Sequence, residues 1–267
     1  MERVSTLFSI CLLWLNVTFG QDCLYENYFK LVGAAYADFA SSRFEEAAEN
    51  YKVAFESVDF SFGADLQYAL EVARHTQDST WAFEVATMLA KGGIPIQYFK
   101  DYEHYAWFNQ FRNDYPDYTA YYDRQFDRVA REKFLELCLS DYTFNETYHK
   151  WCSGEIEMTL PELIGGATGV LDSLKAIIHD HGFPSEQVMG YYYQNGEIKM
   201  YPITPLFIHI YQRGELFYAD RLLNISCDGK LRPVDAFDVA RFRGFGDSTG
   251  IEQEMKIRWQ RCRGSKD

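Results

Sequence analysis

Apolar residues recur at helical spacing along most of the chain. Leu24 to Ala40 carries Leu31, Ala34 and Ala35, and Ser42 to Phe55 carries Ala47, Tyr51 and Ala54. The pattern returns 35 residues on. There Leu66, Ala69, Leu70 and Ala73 match Leu31, Ala34, Ala35 and Asp38, while Ala82 matches Ala47 and Leu89 matches Ala54. Gly92-Gly93 ends the second unit and Pro95 follows. The spacing predicts two helical hairpins, whose helices approach closely where the side chains are small. Short helices are expected over Asp101–His104 and Asn109–Tyr115. Pro116 then opens a longer helix to about Leu139, with Tyr118, Tyr122, Phe126, Val129, Phe134 and Leu137 along it. Asp141 to Glu157 breaks the periodicity and reads as a linker over 140–158.

Beyond it, Thr159-Leu-Pro-Glu162 is a capping box. Leu163, Ala167, Leu171, Leu174 and Ile178 follow at helical spacing. Gly165, Gly166 and Gly169 interrupt that run and suit close helix packing rather than a phosphate loop, since no Gly-Lys-Ser/Thr follows. Asn195-Gly196, between β-prone runs, predicts a two-residue hairpin turn. Further helices are expected from Pro205 to Tyr211, from Gly214 to Cys227 and from Asp235 to Phe242, with Ile251 to Arg263 a strand or a helix. The fold class is mainly all-α: antiparallel helical hairpins, then a mostly helical part with a small β-hairpin.

The paired units resemble the tetratricopeptide repeat, on Ala47, Tyr51 and Ala54 of the first and Ala82 and Leu89 of the second. Two units fall short of the three or so that a free-standing stack needs, so something must cap them. Residues 95–139 resemble the degenerate third unit that ends such arrays in secreted bacterial proteins. The resemblance implies a groove lined by the first helix of each unit, open to a peptide. Mapped position by position, it presents Val32, Tyr36 and Phe39, then Gln67, Glu71, Arg74 and His75. Arg74 would orient a carboxylate there. Gly182-Phe-Pro184, Gly190 and an apolar helix bearing His209 resemble a bacterial domain of unknown function over roughly 165–250. Its later Asp-Arg element is matched by Asp220-Arg221, while Asp238 and Arg241 stand apart. That resemblance implies architecture and no activity.

Charge and cysteine usage narrow the setting. Lysine plus arginine number 26 against 39 acids, a net charge of −13, with no basic patch, which disfavours nucleic acid. No apolar run reaches the ~18 residues a spanning helix needs. Residues 1–20 read as a secretory signal: Arg3, the apolar stretch Leu7 to Leu15, then cleavage after Gly20. The remaining cysteines are Cys23, Cys138, Cys152, Cys227 and Cys262, an odd set. Cys138 and Cys152, close in sequence, are the first candidate pair. Asn145-Glu-Thr147 and Asn224-Ile-Ser226 match the glycosylation acceptor pattern.

These features together point to an exported protein, periplasmic or secreted. Residues 21–139 would form the repeat module and 159–267 a second helical domain. The module would bind a protein or peptide partner in a scaffold or adaptor role, without cofactor or metal. No hydrolase motif is present, so the reading leans away from an enzyme. The alternative is acid–base chemistry at His209 with Asp220, Asp235 or Asp238, and Arg221 nearby. His179-Asp-His181 lies at a helix end, where residues two apart cannot converge on a metal. Glycan stacking on Tyr191-Tyr-Tyr193 is a third reading.

Overall fold

The computed structural model describes residues 23–242 and 250–264. The signal-like segment 1–20 and residues 246–249 lie outside the described residues.

Two helical hairpins open the fold: α1 (Glu26–Ala40) with α2 (Phe44–Glu56), and α3 (Gly63–His75) with α4 (Ser79–Lys91). The 35-residue period holds in the backbone for the second helix of each hairpin. Helices α2 and α4 each have 13 residues and begin 35 positions apart. Both hairpin turns place their middle residue in the left-handed region, Ser42 at φ 59° and Gln77 at φ 56°. Ala47 and Ala82, Tyr51 and Ala86, and Ala54 and Leu89 are buried in matching positions. Asp78 caps α4 by accepting from the Trp81 amide, and Lys52 of α2 reaches the same carboxylate at 3.0 Å. That contact ties the two hairpins at the surface.

The register of α1 departs from expectation. Its buried stripe is Tyr28, Val32 and Ala35 rather than Leu31, Ala34 and Ala35. Val32, expected on the groove, is therefore a core residue. Tyr28 sets this rotation. Its hydroxyl donates to Asp65 at 2.8 Å and accepts from the Phe62 amide at 3.0 Å, so a polar tip anchors an apolar ring inside the protein.

A 3₁₀ helix (Ile96–Tyr102) leads to α5 (Phe108–Gln125) and α6 (Arg128–Ser153). The break between long helices falls at Phe126–Asp127, not at Pro116, which lies inside α5. The aromatic stripe Phe111, Tyr118 and Tyr122 continues through the proline, while Asp127 caps α6 by accepting from the Ala130 amide. No linker follows Leu139. Helix α6 runs without interruption to Ser153 and ends at Gly154 with φ 83°. The pattern looks broken because the buried stripe Phe134, Leu137, Asp141 and Trp151 includes a carboxylate.

Helix α7 (Leu160–His181) opens with the expected capping box of Thr159 and Glu162. Gly166 lets α6 come close, since a Cβ there would lie 2.6 Å from the Phe144 ring. The single turn α8 (Glu186–Met189) precedes strands β1 (Tyr192–Gln194) and β2 (Glu197–Lys199), which pair antiparallel with Tyr193 opposite Ile198. Asn195 at φ 55° and Gly196 at φ 87° form the turn between them. The chain ends in α9 (Ile203–Gln212), α10 (Leu222–Cys227), α11 (Pro233–Arg241) and α12 (Ile251–Gly264). The helix expected from Gly214 is reduced to α10, because Gly214 and Tyr218 both take positive φ and interrupt it. No helix among the described residues is long and apolar enough to cross a membrane.

Two apolar cores meet at the α5–α6 break. The first is built from the hairpins and α5, the second from α6 onward. The β-hairpin joins them. Tyr191 and Ile198 belong to the first core, whereas Tyr192 stacks on Tyr201 of the second at 5.1 Å. Tyr191 fills a hole made by absent side chains: a Cβ on Gly92 would lie 2.1 Å from its ring. Its hydroxyl donates to the Ser61 carbonyl and its amide to the Gly92 carbonyl, at 2.9 and 2.7 Å. The hairpin thus helps the 95–125 segment to cap the repeat pair.

Disulfides join Cys23 to Cys227 and Cys152 to Cys262, leaving Cys138 free. The expected Cys138–Cys152 pair is excluded by the continuity of α6. Fourteen residues of one helix (138 to 152) separate those sulfurs by about 21 Å along the axis, far beyond disulfide reach.

Candidate functional sites

The first-helix face of the repeat pair carries a group of rings that Phe44, at the start of α2, extends. Tyr36 of α1 meets Tyr68 of α3 edge-on, with centroids 5.1 Å apart. Phe39 touches both Tyr68 and His75, at 5.8 and 6.3 Å. His75 stacks flat on Phe44 at 4.1 Å. Tyr36 and Tyr68 are 38% and 37% exposed, which is unusual for rings so well ordered by neighbours. Burial against the helices, with the Tyr36 phenol beside it, raises the Tyr68 hydroxyl above its ordinary value and keeps it neutral. Each ring contact contributes about 1 kcal/mol, so the surface is arranged before anything docks on it.

Polar groups border these rings. Glu71 accepts from Tyr102 at 2.9 Å and pairs with Arg74 at 2.5 Å. Arg74 remains half exposed, so its charge is shared with Glu71 rather than free for a ligand. Of the seven positions expected here, Tyr36, Phe39 and His75 share the ring cluster, and Glu71 and Arg74 pair with each other. Gln67 lies partly exposed on α3, and Val32 is in the core. Sequence reasoning missed Tyr68, Phe44 and Tyr102. Tyr68 occupies the position that is Gly33 in the first unit, so the repeat alignment carried no signal for it.

A second cluster lies between α6 and α9. His209 Nδ1 is 2.6 Å from Asp141 Oδ2 and 2.8 Å from the Asn145 amide nitrogen. Arg213, one turn beyond His209, binds Asp141 at 2.7 Å and the Asn145 side-chain oxygen at 2.8 Å. Its guanidinium also lies over the Phe144 ring. Asp141 and Arg213 are buried, whereas the His209 side chain is one-third exposed. Burial pulls the Arg213 guanidinium below its ordinary value, with the Asp141 charge opposing.

The acids expected around His209 are elsewhere. Asp235 accepts from Thr204, Asp238 pairs with Arg241, Arg221 lies over the Tyr218 ring, and Asp220 is exposed before α10. The true partner is 68 residues upstream of His209, on a helix whose carboxylate broke the apolar pattern. The same cluster occupies Asn145, one of the two glycosylation-pattern asparagines. Asn224, the other, is exposed on α10.

The remaining candidates resolve into packing. His181 binds Asp127 at 2.7 Å and His179 binds its neighbour Asp180, so the pair does not converge. Among the described residues no group of three or more His, Cys, Asp or Glu is placed to hold a metal. Tyr191 is buried, while the half-buried Tyr192 lies on Tyr201 and the half-buried Tyr193 faces Tyr98 at 6.0 Å.

Cys138 sits one turn before Asp141. Burial, reinforced by the Asp141 charge, pushes its thiol up to about 12. The thiolate is the reacting species, so the native protein at neutral pH is expected to resist iodoacetamide. Peptide mass spectrometry checks this, with full labelling after denaturation as the reference. Native labelling at the rate of a free cysteine would contradict the buried environment.

Comparison with family models, curated proteins and solved structures finds no match to this chain.

Proposed function

We propose that the protein is exported and acts as a binding module, taking a protein or peptide partner on the first-helix face of a tetratricopeptide-like repeat pair. The carrying observation is the ring group in which Tyr36, Tyr68 and His75 are exposed and the half-buried Phe39 and Phe44 hold them in place by mutual contacts. Interface anchors are typically aromatic and pre-ordered, because two-torsion side chains lose little entropy on binding. Export is supported by the signal-like residues 1–20 and by two disulfides, which persist in oxidising compartments. The second part, from α6 onward, serves as a scaffold that caps the repeats.

The test is selection of a random peptide library on the full-length, oxidised protein. Peptides recovered on the wild type should lose at least tenfold in affinity to Tyr36→Ala/Tyr68→Ala. They should bind His209→Ala normally. Equal binding to the double variant would move the site off this face.

A second reading rests on one observation, the 2.6 Å contact of His209 with Asp141. A buried carboxylate on Nδ1 fixes the ring so that Nε2 can accept a proton. It ranks second because Asp141 already pairs with Arg213, which accounts for the cluster without chemistry. Turnover that His209→Ala abolishes, on any substrate found, would reverse that ranking.

A further inference from the structure

The seam between the two cores carries an imbalance of buried charge. Glu186, on the single turn α8, is buried and accepts from the Gly63 amide at 2.8 Å, capping the N-terminus of α3 from across the seam. Asp65 lies two residues further along α3. It binds Arg232 at 2.7 Å and Tyr28 at 2.8 Å. Asp235, on α11, acts on the same region and is itself bonded to Thr204. Tyr191 and Tyr201, flanking the hairpin, also face Glu186, and Arg131 acts on Tyr201 from α6. Both phenols are pushed up by burial and stay neutral. Arg232 is the cation that acts on Glu186, and Asp65 holds it. An ionised Glu186 therefore adds a buried negative charge whose one direct hydrogen-bond partner among the described residues is the Gly63 amide. Ser185 beside it has a buried hydroxyl with no partner among the described residues.

We propose that Glu186 is a proton-operated latch: protonated, it closes the seam over α3, and ionised, it releases α8 and the hairpin, uncovering the α3 and α4 surface beneath Tyr191 and Ile198. Release is a hinged opening rather than separation. The chain crosses the seam at Phe126–Asp127 and the Cys23–Cys227 disulfide spans it elsewhere. The surface uncovered includes Gly63, Gly92 and Ser61, all now covered by Tyr191. The inference stands independently of the partner reading, because it concerns the N-terminal end of α3 at Gly63 and not the rings of Tyr36 and Tyr68.

The direction follows from linkage. Burial, against the opposing pull of the Gly63 amide and Arg232, raises the Glu186 carboxyl to about 8, while an opened seam returns it to its ordinary range near 4.5. The closed form is thus favoured at low pH. The opening constant climbs about tenfold per pH unit between those two values, then levels off once the closed form is itself ionised.

Hydrogen exchange by mass spectrometry on the full-length, oxidised protein tests this, with rates corrected for base catalysis. The wild type should show seam peptides (60–66 and 186–193) opening about a hundredfold more between about pH 5.5 and about pH 7.5, with a plateau above about pH 8. Glu186→Gln, which keeps an acceptor oxygen for Gly63, should show a flat profile. A flat wild-type profile, or an equal rise in Glu186→Gln, overturns the latch. If Glu186→Gln fails to fold, the wild type alone decides through infrared spectroscopy in deuterated buffer. A protonated-carboxyl band should persist to neutral pH and bleach through about pH 8; its absence at neutral pH overturns the proposal.

Discussion

Replacing Arg213 with methionine is expected to lower the stability of the protein by about 3–5 kcal/mol, the usual cost of stranding one member of a buried ion pair. Arg213 is among the most deeply buried charged side chains of the protein, and Asp141 is nearly as enclosed. Met has comparable volume and fills the space over Phe144, so the loss falls on the Asp141 carboxylate, left with His209 as its remaining partner, rather than on a cavity. Asn145 also loses the donor that fixes its amide. At a chain of this size the loss corresponds to a fall in melting temperature of roughly 10 °C. Circular dichroism melts at one fixed pH read it. The pair itself need not stabilise the fold, since buried ion pairs often do no better than apolar residues of the same volume. The double variant Asp141→Leu/Arg213→Met should therefore recover a good part of what Arg213→Met loses. A single variant within about 1 kcal/mol of the wild type would show that water reaches Asp141. A double variant worse than the single would show that the cluster holds α9 against α6 in a way packing cannot replace.

The same carboxylate explains where the sequence was legible and where it was not. Small residues at repeat spacing, the Thr159–Glu162 box and Asn195-Gly196 are local signals, and each produced the element it implies. The repeat period held to the residue through α2 and α4, where Ala47, Ala54, Ala82 and Leu89 are buried in matching positions. Elements whose faces are set by distant partners were misread. Asp141 on the inner face of α6 looks like a chain break until His209 and Arg213 supply its partners. Tyr28 rotates α1 away from its apparent register because Asp65 and the Phe62 amide receive its hydroxyl. Arg232 closes that same network from 167 residues away. Such contacts leave no periodic trace. Of the ring surface, Tyr36, Phe39 and His75 could be read from the repeat register. Tyr68 and Phe44 could not, since an aromatic on a helix is equally a core or a surface residue until its neighbours are fixed. Cysteine pairing behaved the same way. Closeness in sequence favoured Cys138 and Cys152, while helix continuity forbade it and sent Cys152 to the last helix.

Removing the Cys23–Cys227 bridge, as Cys23→Ser/Cys227→Ser, is expected to cost up to about 5 kcal/mol, from the loop entropy that a closure of 204 residues withholds from the unfolded chain. The Cys152–Cys262 bridge closes 110 residues, and the logarithm makes its entropic share nearly the same. The two bridges differ in what remains when each is gone. Cys152–Cys262 sits beside the stacked rings of Trp151 and Trp259, 4.7 Å apart, on helices that continue to pack. Cys23–Cys227 lies at the start of the described chain, next to the seam. There the Tyr25 amide donates to the Cys227 carbonyl, and Gln187 donates to the Tyr25 hydroxyl and to the carbonyls of Asp228 and Gly229. Without the sulfur link those bonds and the packing of the Tyr25 ring on Gly229 must hold α1 against α10, and helix termini fray readily. Thermal melts should therefore report similar losses for the two paired-serine variants. Hydrogen exchange should separate them, with residues 23–32 and 222–230 losing protection only when Cys23–Cys227 is absent. Equal protection in both variants would mean that the Gln187 and Tyr25 contacts suffice. The bridge would then act on the unfolded chain alone, which is where the entropic account puts it, and the seam would owe its closure to the groups around Glu186 and Arg232.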